Sequence, residues 1–432
     1  MRKQYLTIFF AALCYLSIDA QEVYVDCNTG DDRNPGTLES PVFSINKAME
    51  IVNSAENDIY TMKINPGIYI LNSHVRIATE KTIANKRLII EASFLPDDTE
   101  WTTEKMPVII SKSKKGDLPE NSNIIIDFLV DESHVTIRGL KFLGYCYPVN
   151  MFFPIRRSDR EKSDLVVEQC MFLADQQTSV IQSAIIAHGD SVKIDHCVFY
   201  NVNNTVIFYK CAPGKDFKTG NSMTNCIVYG ASECAIWTSF PDKDFVYKNN
   251  IITNCNFFWI KYSPNTTVYS IENCIIANNK NYKGDENFKP KNFEMNESNI
   301  IKEGEISLRM INTIWEPSPK DHLHVIPGTL GYDIGAGLFK KKDEITVVRN
   351  INPCDLGEDV MVYPIPTKNK IYIMYKNPLK NTDYKILDLT GKTVQEGELQ
   401  NNEIDISGLN KVTYLLSLNI ENKILNKMVI LE

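Results

Sequence analysis

Several things are scarce in this chain, and each absence excludes something. There is no excess of basic residues: 46 Lys and Arg stand against 54 Asp and Glu, a formal net charge of −8. A protein that works on nucleic acid needs a basic footprint for phosphate, so nucleic acid is excluded as the main partner. No run of 18 consecutive apolar residues occurs, so no transmembrane helix is expected. There is no Cys-x-x-Cys pair and no Cys/His zinc spacing among the 11 cysteines, so a structural metal clip is not expected. With 43 % hydrophobic and 23 % charged residues the chain is neither disordered nor collagenous.

What is abundant is asparagine, about forty residues against a usual share nearer twenty. Asparagine favours turns and tolerates the left-handed backbone region, which points away from helical bundles. Residues 1–20 read as an export signal. Arg2 and Lys3 give the basic start, Tyr5 to Ile18 the short apolar stretch, and Ala20 the small residue before cleavage. Beyond it lie ten cysteines. An even count in an exported chain permits disulfides, but four of these share one local frame, which favours a packed, reduced stack.

That frame is an internal repeat. Leu165-Val-Val-Glu-Gln-Cys170-Met-Phe172, Val192-Lys-Ile-Asp-His-Cys197-Val-Phe199 and Tyr269-Ser-Ile-Glu-Asn-Cys274-Ile-Ile276 share one pattern. Each is a β-rich run, a polar residue, a Cys, and a second β-rich run. The equivalent positions 140, 170, 197, 226, 250 and 274 are 30, 27, 29, 24 and 24 apart. A period of this size with two or three short strands fits one coil of a β-solenoid. Stacked coils repeat at about 4.8 Å, so like residues form ladders. Asn225, Asn249 and Asn273 share the corner before the Cys position, with Gln169 and His196 in the same place in earlier coils. Ser44 to Ser54 carries Ile45, Ala48, Met49 and Val52 at helical spacing, with Ser44 as N-cap. That helix is expected to cover the open end of the stack.

The segment Tyr24-Val-Asp-Cys-Asn-Thr-Gly-Asp-Asp-Arg-Asn-Pro-Gly36-Thr, followed by Ser40-Pro41, resembles the opening of right-handed parallel β-helix proteins of the pectate-lyase-like superfamily. Gly331-Tyr-Asp-Ile-Gly-Ala336 is similar to the closing segment of many exported members. The resemblance implies an all-β fold over residues 21–340: a right-handed parallel β-helix with an N-terminal capping helix. It says little about chemistry.

After Lys340 the composition shifts. Residues 341–358 read as a linker, and 359–432 as seven short β segments with polar turns, a small β-sandwich. Val362-Tyr-Pro364-x-Pro366-Thr, Leu387-Asp-Leu-Thr-Gly391-Lys, Ile404-Asp-Ile-Ser-Gly-Leu409 and Lys427-Met-Val-Ile-Leu-Glu432 resemble the C-terminal sorting domain of type IX secretion cargo. Ile365 stands where Asn is usual, and a Gly is missing before Tyr414. The resemblance implies that the type IX machinery is a partner of residues 359–432 and that the protein is secreted or held at the outer-membrane cell surface.

The chemistry is less legible. The carboxylate sets expected of β-helix hydrolases and of calcium-dependent lyases are missing from the repeats. Asp242 and Asp244, on a loop, are a calcium candidate set against plain solvation; no other cofactor and no metal are expected. Counting nine residues from positions 197, 226 and 250 lands on Val206, Ala235 and Trp259. With Ile207, Ile236 and Ile260 inward, Phe208, Lys210, Trp237, Trp259 and Lys261 form an outward face near His188. Aromatic rings stack on sugars and lysines neutralise uronate carboxylates. A lysine there also suits the base of a β-elimination. The competing reading packs these residues under loops or reverses the face by a slip of one residue. Arg156 and Arg157, with Arg160, are candidates for gripping an anionic glycan or for a solvated loop. His322 and His324 would share a strand face but lack a third ligand. The expected substrate-binding set is Phe208, Trp237, Trp259, Arg156 and Arg157, and the catalytic set Lys210, Lys261 and His188. Two classes stay open: a polysaccharide lyase or glycoside hydrolase, and a non-catalytic glycan-binding or adhesin-like surface protein.

Overall fold

The computed structural model describes residues 21–55, 59–78, 86–112, 124–146, 151–157, 161–210, 220–311, 314, 323–340, 360–363, 369–375, 382–388, 392–399, 403–420 and 423–431. The expected leader, the linker, Arg160, Cys211, His322 and Cys354 lie outside them. The chain divides into two units, Met1–Lys341 and Lys342–Glu432.

The first unit is a parallel β-solenoid of about seven turns. One coil shows the plan: Ser163–Glu168 on a first face, Met171–Leu173 on a second, Ser183–His188 on a third. Equivalent strands of successive coils pair in parallel and in register. The first two faces join in one 17-stranded sheet; the third is a separate 8-stranded sheet.

The arch between the first and second faces is where asparagine acts. Gln169, His196, Asn225, Asn249, Asn273 and Asn299 all have φ between 49 and 57°, the left-handed region that Asn tolerates. The side chains then chain together along the axis. Asn225 donates to Asp195 Oδ1 at 2.8 Å, Asn249 to Asn225 at 3.0 Å, Asn273 to Asn249 at 2.8 Å and Asn299 to Asn273 at 2.6 Å.

One residue further, Cys170, Cys197, Cys226 and Cys274 line a buried inward column, interrupted by Asn250. Each thiol donates to a carbonyl two residues back, as Cys226 does to Thr224 O at 3.1 Å. The described cysteines are free, and burial pushes thiols such as Cys274 up to about 12. Asn250 fits the column because its Oδ1 accepts from Cys226 N and its Nδ2 donates to Met223 O, both at 2.9 Å. Phe142, Phe172 and Phe199 stack behind it at 5.0 and 4.9 Å.

The helix is Ile45–Ser54, capped by Ser44, whose hydroxyl accepts from Lys47 N at 3.1 Å. Its buried face is Ile45, Ala48, Met49 and Val52, packed on the first coil's core. Asp32 holds the cap in place by accepting from Ser44 N and Oγ, both at 2.8 Å.

The closing segment does more than end the stack. Residues 306–311, 314 and 323–339 pack on the second face and cover its outward apolar column of Met171, Val198, Ile227, Ile251 and Ile275. Gly337 N donates to Asn225 O at 2.8 Å, Gln169 Nε2 to Leu338 O at 2.8 Å, and Lys340 N to Asp97 at 2.9 Å, so the segment passes from late coils to early ones. A Cβ on Gly337, φ 117°, would lie 2.2 Å from the His324 ring, so only glycine fits there.

The second unit holds two antiparallel sheets. One orders Val360–Tyr363, Lys370–Tyr375 and Glu403–Asp405; the other Thr393–Glu398, Asp383–Leu387, Thr413–Ile420 and Lys423–Ile430. They share a core of Ile371, Ile373, Ile404, Ile386, Leu416 and Leu418.

Candidate functional site

The third sheet carries most of the residues expected to do chemistry, and its register decides which way they face. Ile185, Ile207 and Ile236 pair in one buried inward column, and the next member is Trp259. The outward column beside it is Arg156, Ile186, Phe208, Trp237 and Ile260. Expectation and structure therefore differ by one residue on Phe257–Lys261. The cause is a shorter connection: four residues separate Tyr200 from Thr205 and Tyr229 from Cys234, but three separate Thr253 from Phe257. A slip of one residue exchanges the two faces of a strand.

Trp259 thus leaves the expected ligand face. It is fully buried, its Nε1 donates to Thr238 Oγ1 at 2.9 Å, and its ring packs against Tyr247 and Tyr269 at 5.1 Å. Lys261 leaves it too. It pairs in register with Thr238, donates to Thr267 O at 2.5 Å and stands 5.1 Å from the Phe293 ring centre. Burial, and then the charge of Lys291, lower its pKa.

Trp237 faces outward as expected, but only 7 % of it is exposed. Phe288 packs on its cluster and Tyr262 lies 5.8 Å away. Tyr262 is 40 % exposed, and its N–H donates to Thr238 O at 2.9 Å, which continues the ladder past the strand end. Sequence reasoning passed over it because the shifted register had put Lys261 outward instead.

His188 is half-buried and pairs in register with Lys210, one coil on. The side chains of Phe208 and Lys210 lie outside the described ones. The two arginines separate cleanly. Arg156 is half-buried in the outward column, whereas Arg157 is fully buried, donating from Nε to His188 O at 2.6 Å and from Nη2 to Asp190 O at 3.0 Å. Arg157 thereby holds the backbone under His188.

The remaining candidates are absorbed by loops. Asp242 is buried, accepts from Asn221 Nδ2 at 3.1 Å and from Asp244 N at 3.0 Å, and burial raises its pKa. One of its oxygens thus organises its own loop and the other ties that loop to Asn221 beside Ser222–Thr224. His324 Nε2 accepts from Leu338 N at 2.8 Å and pins the closing segment. Among the described residues no group of three His, Cys, Asp or Glu side chains is placed to hold a metal.

No curated protein matches the chain by sequence. Among solved structures it is similar to XylC in complex with xylose, at 10 % identity and TM-score 0.36 over 66 % of this chain and 70 % of that one. A lacto-N-biosidase of family GH136 from Eubacterium ramulus aligns at 10 % identity and TM-score 0.33, over 66 % and 67 %. A rhamnogalacturonan lyase aligns at 13 % identity and TM-score 0.34, over 74 % of this chain and all of that one. These scores are too low to carry an argument about activity. A family model described as a secretion system C-terminal sorting domain matches residues 361–432. The strands around Ile371, Ile386 and Leu416 are therefore a type IX sorting domain, and the chain is one exported to the cell surface.

Proposed function

We propose that the β-helix binds an acidic polysaccharide along the outward side of its third sheet. The observation that carries the reading is the register pairing of His188 with Lys210, with Arg156 and Trp237 in the adjoining outward column and Tyr262 exposed at the far end. Columns of a parallel stack repeat at about 4.8 Å, which suits an extended ligand lying along the axis. A guanidinium grips a carboxylate through two parallel bonds, and a tyrosine ring stacks on a pyranose face.

Elimination from a uronate is the finer form of the proposal. One group removes the proton α to the carboxylate, a second protonates the departing glycosidic oxygen, and a cation offsets the charge that builds on the carboxylate. Lys210, His188 and Arg156 are the right residue types for these three roles. The alternative is capture of the glycan without turnover.

The test uses the full mature chain with polygalacturonate, alginate and a glucuronan, following retention in affinity gels and ultraviolet absorbance of an unsaturated product. The expected result is retention by one polymer that Arg156→Ala and His188→Ala weaken about tenfold, and product that His188→Ala abolishes. Retention without product leaves a binding protein and removes the elimination step. No retention and no product on any of the three overturns the proposal.

A further inference from the structure

The solenoid has a second arch, between its second and third faces, and its asparagines are used differently from those of the first. Asn201, Asn254 and Asn278 hold φ of 52 to 58° there, while Gly230 and Gly304 take the same place in other coils. Glycine therefore satisfies the backbone at this corner, and an asparagine side chain is not needed for the bend. At the first arch the amides are consumed by the ladder from Asp195 to Asn299. At the second arch no such ladder forms. Asn278 makes one long contact to Gly304 O at 3.3 Å, and Asn256 Oδ1 accepts from Asn281 at 3.2 Å.

These amides open on a shallow groove of about 730 Å³, lined by Gln176, Ser232, Asn254, Asn256, Asn278 and Lys280. The lining offers carboxamides that both donate and accept, one hydroxyl, one ammonium and the buried Cys255, with no carboxylate and no aromatic ring. Of its amides Asn279 is spent within the fold, accepting from Cys255 N and donating to Ile252 O. A carboxamide matches a sugar hydroxyl, which is also donor and acceptor at once. Successive asparagines repeat with the coil at about 4.8 Å, near the advance per residue of an extended 1,4-linked pyranose chain.

We propose that this groove is a second glycan site, selective for an uncharged, hydroxyl-rich polysaccharide strand laid along the axis. It is separate from the third-sheet face and does not depend on the reading of that face.

The test takes the full mature chain and measures calorimetric binding of three neutral hexasaccharides, a β-1,4-glucan, a β-1,4-galactan and a β-1,4-xylan, with hexagalacturonate as the charged control. Asn254→Gly with Asn278→Gly removes the amides while keeping a left-handed backbone close to the one Gly230, φ 73°, already adopts. The expected result is binding of at least one neutral hexamer, reduced tenfold or more in the double variant, with Tm within about 2 °C of the parent and no change in His188→Ala. The first-arch change Asn249→Gly should lower Tm and leave neutral binding intact. Three outcomes overturn the proposal: no neutral hexamer binds, the double variant binds as well as the parent, or only hexagalacturonate binds and Lys280→Ala removes it.

Discussion

The outward sides of the second and third sheets are built from the same coils, yet they have opposite character. On the second sheet Met171, Val198, Ile227, Ile251 and Ile275 give one buried apolar residue per coil, sealed by Leu308, Leu323, Leu338 and their described neighbours in the closing segment. On the third sheet the corresponding column is Arg156, Ile186, Phe208, Trp237 and Ile260, with His188 and Lys210 beside it; its Trp237 end is packed under Phe288, and Ile186 packs on Ile126 and Phe153. A solenoid coil must cover an apolar outward column with its own chain or a partner, because that column loses about 25 cal/mol per Å² when left in water. A column that mixes Arg156 with aromatics and a half-buried aliphatic has less of that need, and it is the column on which a ligand is proposed to lie. The difference separates what the chain seals for itself from what it leaves open.

The largest expected effect tests that separation directly. Ile251 is fully buried, and a Cβ on Gly331 of the closing segment would come within 3.2 Å of its side chain. Ile251→Asp puts an unpaired carboxylate there, and should cost more than about 4 kcal/mol, lower Tm by about 8 °C or more, and expose residues 306–339 to limited proteolysis. Ile186→Asp, half-buried in the third-sheet column and packed on Ile126 and Phe153, should cost less, about 1–2 kcal/mol. Equal losses for the two variants would make the third-sheet face ordinary core.

How much of this was legible in the sequence follows the same physics. The first arch could be read because its left-handed corner admits few residue types, so Asn225, Asn249 and Asn273 mark it in three successive coils. The helix could be read because Ser44 caps a face of period 3.6, and the sorting domain because its turn motifs have fixed order. The phase of Phe257–Lys261 could not. Phe257, Phe258, Trp259 and Ile260 are all buried, some inward and some under Phe288, so alternation carries no signal of which is which. Only the length of the connection at 254–256 sets it. Arg157 was illegible for a related reason: a charged residue reads as exposed, and nothing local reveals that its guanidinium spans to the carbonyls of the next coil.

That arginine supplies the next sharpening, since neighbours in sequence fall on opposite sides of one strand. Arg157→Ala removes charged hydrogen bonds to His188 O and Asp190 O and opens a cavity, and should cost about 3 kcal/mol. Arg156→Ala should leave Tm within about 2 °C of the parent while weakening uronate retention. Denaturation and affinity gels on the two variants give the contrast. A loss of retention from Arg156→Ala that merely tracks a loss of stability would assign Arg156 to the fold.

The smallest effect concerns the one ion in the sealed column. Lys141 pairs between Val108 and Met171, is 6 % exposed, and has its pKa pushed down to about 8 by burial. The unfolded chain holds that proton up to about pH 10.4. Between pH 8 and 10 the unfolded state therefore binds more protons, and the lysine's contribution to stability becomes less unfavourable as pH rises. Lys141→Met, similar in volume and apolar like Met171 beside it, should raise Tm by several degrees at pH 7. Buried thiols such as Cys255, held up at about 12, act in the opposite sense above pH 8.5, so the difference between variant and parent is the quantity to follow. That difference should shrink steadily from pH 8 to pH 10. A difference that stays flat with pH would mean the ammonium reaches water past the closing segment, and the second sheet's seal would then be open at Lys141, making the two outward faces less different than their columns suggest.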